Sequence, residues 1–141
     1  MKKNFAPRLL KIYHTLHAHY GPQHWWPADS RFEVIVGAIL TQNTNWKNVE
    51  KAIANLKNAG LLRPEKIRNA KTGYLARFIR PSGYYNIKAK RLKNFVSFLY
   101  AEYGGSLDKL SSENPDKLRE YLLGINGIGP ETCDSIMLYA L

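Results

Sequence analysis

Apolar positions recur at helical spacing along almost the whole chain, and no stretch alternates apolar and polar residues at a period of two between turn signals. The pattern predicts an all-α fold. Leu9, Ile12, Tyr13 and Leu16 share one face of a first helix over residues 6–19. Gly21, Pro22 and Pro27 make residues 20–29 a loop. Ser30-Arg31-Phe32-Glu33 is a capping box, in which the hydroxyl takes a first-turn amide and the carboxylate reaches back. The helix it opens runs to about Leu40, with Phe32, Ile35, Val36 and Ile39 inward.

The polar strip Thr41-Gln42-Asn43-Thr44 interrupts the pattern. Thr44 or Asn45 can cap the next helix, which carries Trp46, Val49, Ile53 and Leu56 on one stripe and stops near Gly60. Pro64 suits the first position of a short helix to Ala70, residues 72–79 form another, and Arg80-Pro81-Ser82-Gly83 reads as a turn. A long helix covers residues 86–103 and ends at Gly104-Gly105. Asn114-Pro115 opens a helix to Leu123, and Pro130 opens the last one. The count is roughly seven helices in one domain spanning residues 1–141. Leu141 falls inside an apolar helix without a cap, which leads us to expect a domain incomplete at its C-terminus.

Composition narrows the setting. With 45% hydrophobic residues the chain can build a core, and its apolar runs are too short to span a bilayer. Met1-Lys2-Lys3-Asn4-Phe5 is basic but lacks the apolar stretch of a signal peptide. One cysteine, Cys133, permits neither an internal disulfide nor a cysteine-built metal site, and reads as a small core residue. The cysteine usage fits a cytoplasmic setting. The net charge of +10 is unevenly placed: residues 1–105 hold 18 Lys and Arg against 5 Asp and Glu, and residues 106–141 hold 3 against 6. The basic part suits a polyanion, because Lys and Arg displace counterions condensed on phosphates; a solvated basic surface would look the same. Lys88, Lys90, Arg91 and Lys93 spread over more than one face of their helix, which favours a solvated surface for most of them. His14, His17, His19 and His24 form no convincing ligand set.

Candidate chemistry concentrates near the end of the chain, in Leu122-Leu123-Gly124-Ile125-Asn126-Gly127-Ile128-Gly129-Pro130-Glu131-Thr132. Gly127 and Gly129 can take positive φ and bring bare backbone close to a ligand, while Ile128 anchors the turn in the core. Amides of the turn and of the next helix's N-terminus would then face outward as an anion site fitting a DNA phosphate. An ordinary glycine-containing turn between helices is the competing reading.

This segment resembles the helix-hairpin-helix of the endonuclease III superfamily of DNA glycosylases. The likeness extends upstream. Leu40-Thr41-Gln42-Asn43-Thr44 resembles the strip whose Gln inserts into the duplex. Trp25-Trp26-Pro27, Phe32-Glu33 and the stretch from Arg80-Pro81-Ser82-Gly83-Tyr84-Tyr85-Asn86 to Leu92 resemble the branch that excises 3-methyladenine. The resemblance implies Gln42, Asn43, Asn126, Gly127, Ile128, Gly129 and Thr132 as DNA contacts, and Trp25, Trp26, Pro27 and Trp46 as a base pocket. Aromatic faces would suit a purine made cationic by alkylation, through an attraction of about 0.5–2 kcal/mol. Trp46 is in phase with Val49, Ile53 and Leu56 and is equally readable as core. The resemblance implies a nucleoid-associated protein of prokaryotic type, a monomer, whose partner is double-stranded DNA carrying a damaged base.

In lyase-competent relatives a Lys two residues past the second hairpin glycine forms a Schiff base with the sugar. Glu131 stands there, so the resemblance implies base removal without strand cleavage. The superfamily's catalytic Asp would fall roughly 18 residues further on, past Leu141, and Asp134 is too near the hairpin to replace it. The C-terminal 4Fe-4S cluster of many relatives has no ligand set within these residues. A glycosylase for oxidised or mismatched bases, and a non-catalytic DNA-binding module, remain alternatives.

Overall fold

The computed structural model describes residues 5–141; the basic stretch at residues 1–4 lies outside the described residues. Nine α-helices and one 3-10 turn follow one another, with no strand among the described residues. They are α1 (Ala6–Tyr20), α2 (Arg31–Leu40), α3 (Trp46–Asn58), α4 (Pro64–Asn69), α5 (Thr72–Phe78), the 3-10 turn (Arg80–Ser82), α6 (Tyr85–Tyr103), α7 (Leu107–Ser111), α8 (Pro115–Leu123) and α9 (Pro130–Tyr139). The all-α expectation holds. Each helix outlined from the sequence is present, and α7 is added to them; the Ser106 hydroxyl caps it by accepting from the Lys109 amide.

Two helices organise the core. In α2 every residue from Phe32 to Leu40 is buried, as befits a helix apolar on nearly all sides. α6 buries Lys88, Ala89, Leu92, Phe95, Val96 and Leu99 along one face. Helices α3 and α9 pack on α2, α4 and α5 pack on α6, and α2 meets α6 directly.

The Ser30 hydroxyl accepts from the Glu33 amide as the capping box requires. The Glu33 carboxylate, however, takes the amide of Asp29 rather than that of Ser30. It turns this way because Lys57 of α3 lies 2.8 Å from its other oxygen and 2.6 Å from Asp29. Hydrogen bonds donated to Asp29 and Glu33 hold the Lys57 ammonium above the ordinary lysine range. Arg31 ties distant parts together, donating to the carbonyls of Ala140 and Leu107 and to Asp108.

Helix α1 forms where expected, but nothing among the described residues covers its apolar face. Leu9, Ile12, Tyr13 and Leu16 are each at least half exposed, and no residue of α1 is buried. No helix of the described residues is long and apolar enough to cross a membrane.

Candidate nucleic-acid interface

Helices α8 and α9 and the turn between them form a helix-hairpin-helix. Asn114 caps α8, its side-chain oxygen accepting from the Asp116 and Lys117 amides. Arg119 of α8 clasps Asp134 of α9 at 2.9 Å, which gives Asp134 a structural role. Ile125 and Ile128 are buried, anchoring the turn as expected. Gly127 adopts φ +100°, a conformation that L side chains rarely take. Its Cα also lies against Arg91, so that a Cβ there would sit 2.2 Å from Arg91 Cγ.

Gly129 corrects the sequence expectation. Its φ is −89°, ordinary extended backbone, and it serves as the N-cap of α9. A Cβ at this position would meet nothing within 4 Å. The fold needs a glycine at 127 and not at 129. The amides of Gly127 and Gly129 donate to no acceptor among the described residues, and Pro130 brings no amide of its own to the first turn of α9. Bare amides, a helix N-terminus and an open surface therefore converge at residues 127–132, where Gln42, Arg91 and the hairpin line a cleft of about 780 Å³. Glu131 and Thr132 occupy the first turn of α9, Glu131 exposed and Thr132 buried.

Gln42 meets the hairpin directly. Its Nε2 donates to the Gly127 carbonyl at 2.8 Å and to Thr132 Oγ1 at 3.0 Å, while Arg91 donates to its Oε1. The Asn94 side chain donates to the Asn126 carbonyl at 3.0 Å. Asn43, the next residue, is exposed at φ +53°. Across from it stands Tyr84, 65% exposed and held at φ +42° as the residue before α6. Between them a cleft of about 260 Å³ is lined by Gln42, Asn43, Tyr84, Ile87, Lys88 and Arg91.

Most of the basic run on α6 is not a solvated surface. Lys88 is buried and donates to the Leu40 and Ser82 carbonyls. Arg91 is enclosed by Gln42 and Gly127, and Lys93 donates to the carbonyls of Ile67, Arg68 and Ala70 at the end of α4. Lysines satisfy carbonyls that a helix C-terminus leaves open, so these cations were claimed by neighbouring helices. Lys90 alone of the four is exposed.

The tryptophans separate. Trp26 and Trp46 meet edge to face, with ring centroids 5.4 Å apart, and Tyr139 closes on Trp26 at the same distance. Both indoles lie on α2 at Gly37, where a Cβ would be 3.3 Å from the Trp26 ring and 3.5 Å from that of Trp46. Trp26 Nε1 is buried and donates to nothing among the described residues. Trp25 is 74% exposed and stands apart from this pair, and Pro27 is exposed beside it. Sequence reasoning missed Arg91 and Lys88 as parts of this region, and did not assign Tyr84 a place in it. The spacing of Lys88 from the 3-10 turn gave no clue, and only glycine, asparagine or aspartate would have advertised positive φ at 84.

Four cysteine thiolates are needed for a 4Fe-4S cluster, and these residues do not fit one: Cys133 is the single cysteine, and it is buried. Burial raises its thiol above the usual range, and no group of three or more His, Cys, Asp or Glu converges among the described residues.

An all-α bundle that presents bare hairpin amides beside a glutamine-bearing loop is a fold of the helix-hairpin-helix class. The chain belongs to the HhH-GPD superfamily of base excision DNA repair proteins, whose profile matches residues 36–121. It is 53% identical, over its whole length, to a Methanocaldococcus jannaschii protein assigned only provisionally, by name, as a DNA repair glycosylase, and it spans 64% of that protein's length. It is 33% identical to endonuclease III of Sulfolobus acidocaldarius over 76% of the chain and 46% of that protein. Among solved structures, the Helicobacter pylori 3-methyladenine DNA glycosylase bound to 1,N6-ethenoadenine superposes with a TM-score of 0.78 at 37% identity, covering 94% of this chain and 63% of that one. An endonuclease III–DNA complex shares the fold, with a TM-score of 0.71 at 19% identity over 96% of this chain and 59% of that one.

Proposed function

We propose that the protein is a monofunctional DNA glycosylase of base excision repair, which flips out and releases an alkylated purine such as 3-methyladenine and has no lyase step. The observation that carries this reading is Glu131 in the first turn of α9, beside a hairpin with bare amides. The hairpin takes a phosphate on the amides of Gly127 and Gly129 and at the N-terminus of α9. Gln42 and Asn43 fill the gap left by the flipped nucleotide, with Tyr84 on the opposite side of the cleft. Trp26 and Trp46 supply aromatic faces for the base, and Trp25 is exposed for a further contact.

In the reaction the N-glycosidic bond breaks and its electron pair leaves with the base. Alkylation gives a purine a positive charge, so it departs neutral and needs little acid assistance. Water adds its oxygen to the sugar carbon and loses a proton. A carboxylate at 131 cannot form the imine that strand cleavage requires. The likeness to the H. pylori enzyme favours an alkylated purine over an oxidised base.

The test measures base release from duplexes carrying 3-methyladenine or an oxidised pyrimidine, using this chain and any longer protein that contains it. Release of the methylated purine alone is expected. Release of the oxidised base alone, or no release by either protein, overturns the proposal.

A further inference from the structure

Lys88 is a charged side chain only 1% exposed, placed in the core and facing no carboxylate in its hydrogen bonds. Its Nζ donates to the Leu40 carbonyl at 2.8 Å and to the Ser82 carbonyl at 2.5 Å. Leu40 is the last residue of α2, and Ser82 is the last of the 3-10 turn. Two residues past each of these carbonyls stands a side chain that borders the 260 Å³ cleft, Gln42 in one case and Tyr84 in the other. One ammonium thus joins the roots of both segments that rise on either side of the cleft.

Burying an ammonium is costly, and an aliphatic side chain of similar length would fill the same volume without that cost. Burial, with a smaller contribution from the Arg91 guanidinium, pushes the Lys88 pKa down to about 8. What Lys88 supplies that Met could not is direction: several donors on one atom, aimed at two chain segments 42 residues apart in sequence.

We propose that Lys88 is a positioning residue that fixes the spacing between Gln42 and Tyr84, so that both enter the duplex together at a vacated base position. This rests on the insertion role given to Gln42 above. Backbone binding at the hairpin does not depend on Lys88, because it uses the amides of residues 127–132. Lys88 therefore governs the step that distinguishes a gapped or flipped site from intact duplex.

The experiment uses the full chain, a duplex with a tetrahydrofuran abasic-site analogue, and 2-aminopurine next to it, whose fluorescence rises when it unstacks. The wild type is expected to bind this duplex more tightly than an undamaged one and to raise the fluorescence. Lys88→Met is expected to keep its affinity for undamaged DNA, to lose about tenfold on the abasic duplex, and to lose most of the fluorescence rise at saturation. Leu99→Ala, a core substitution at the far end of α6, controls for stability and should keep both. Lys88→Gln, uncharged but still a donor, serves if K88M does not fold, and should fall short of the wild type on the abasic duplex alone. Equal loss on both duplexes, or a full fluorescence rise in the folded variant at saturation, overturns the proposal. If the wild type itself gives no rise, the insertion reading of Gln42 falls first and the role of Lys88 with it.

Discussion

The side-chain amide of Gln42 donates to the main-chain carbonyl of Gly127 at 2.8 Å, joining the loop after α2 to the hairpin before α9. Thr132 and Arg91 complete the junction on either side of that amide. The residue expected to enter the duplex is thus also a strut of the hairpin. Insertion would require it to exchange these partners for DNA.

Gln42→Ala is expected to loosen the hairpin. It removes bonds to one backbone carbonyl and one hydroxyl and deprives Arg91 of an acceptor, a loss of about 1–3 kcal/mol. Hydrogen exchange should quicken at the amides of Ile128 and Cys133, which close the turn and the first turn of α9. Unchanged protection there would mean the hairpin holds its shape without Gln42.

The two hairpin glycines should separate stability from binding. Gly127→Ala meets both positive φ and the Arg91 side chain, and should cost about 1–3 kcal/mol in a denaturant melt. Gly129→Ala meets neither, and should cost about 1 kcal/mol or less as a poorer N-cap. It should nevertheless weaken binding to unrelated duplexes alike, since backbone contacts carry no sequence code. A loss confined to one sequence would argue for base contacts at the hairpin.

Borohydride treatment in the presence of DNA bearing an aldehydic abasic site should trap no covalent adduct. Glu131 offers no amine, and Lys88, the buried lysine on the neighbouring helix, is held by two carbonyls. An adduct that maps to a lysine lining the cleft would establish an imine step and end the monofunctional reading.

Lys88 also predicts a pH effect on stability. Its pKa is about 8 in the folded state against 10.5 for an ordinary lysine. Between these values the unfolded chain binds the extra proton, so stability attributable to this residue rises as pH increases from 8, and the penalty is fully felt below it. The difference in unfolding free energy between the wild type and K88M should therefore shift in favour of the wild type from pH 7.5 to 9.5, by roughly 1–2 kcal/mol. Comparing the two proteins cancels the opposing contribution of Cys133, whose thiol is raised by burial. A flat difference would mean that the ammonium is solvated.

Much of this architecture was legible because local signals agreed. Ser30 and Asn114 cap the helices they were expected to cap, Asn45 is the one of the two candidates that caps α3, and Pro64, Pro115 and Pro130 stand at helix starts. Ile128 had to be buried for the hairpin to turn, and it is. Periodicity reported which face of α1 is apolar but could not say that nothing in residues 5–141 would cover it. The lysines of α6 misled for a related reason: helical spacing places a side chain on a face, while a helix C-terminus contributed by distant sequence decides whether a cation is drawn inward. Gly129 misled in the opposite sense, since a glycine can be kept for the space outside it as well as for its own φ.

The Arg31 contacts bear on the order in which the molecule assembles. Arg31 reaches Leu107, Asp108 and Ala140, partners 76, 77 and 109 residues away, and Gln42 reaches Gly127 and Thr132 across 85 and 90. Helices can form within a microsecond, but such distant closures wait for the chain to collapse. A nascent or partly unfolded molecule would thus hold its short helices only transiently and have no assembled groove, because the partners of Arg31 and Gln42 are among the last parts of the chain to be made.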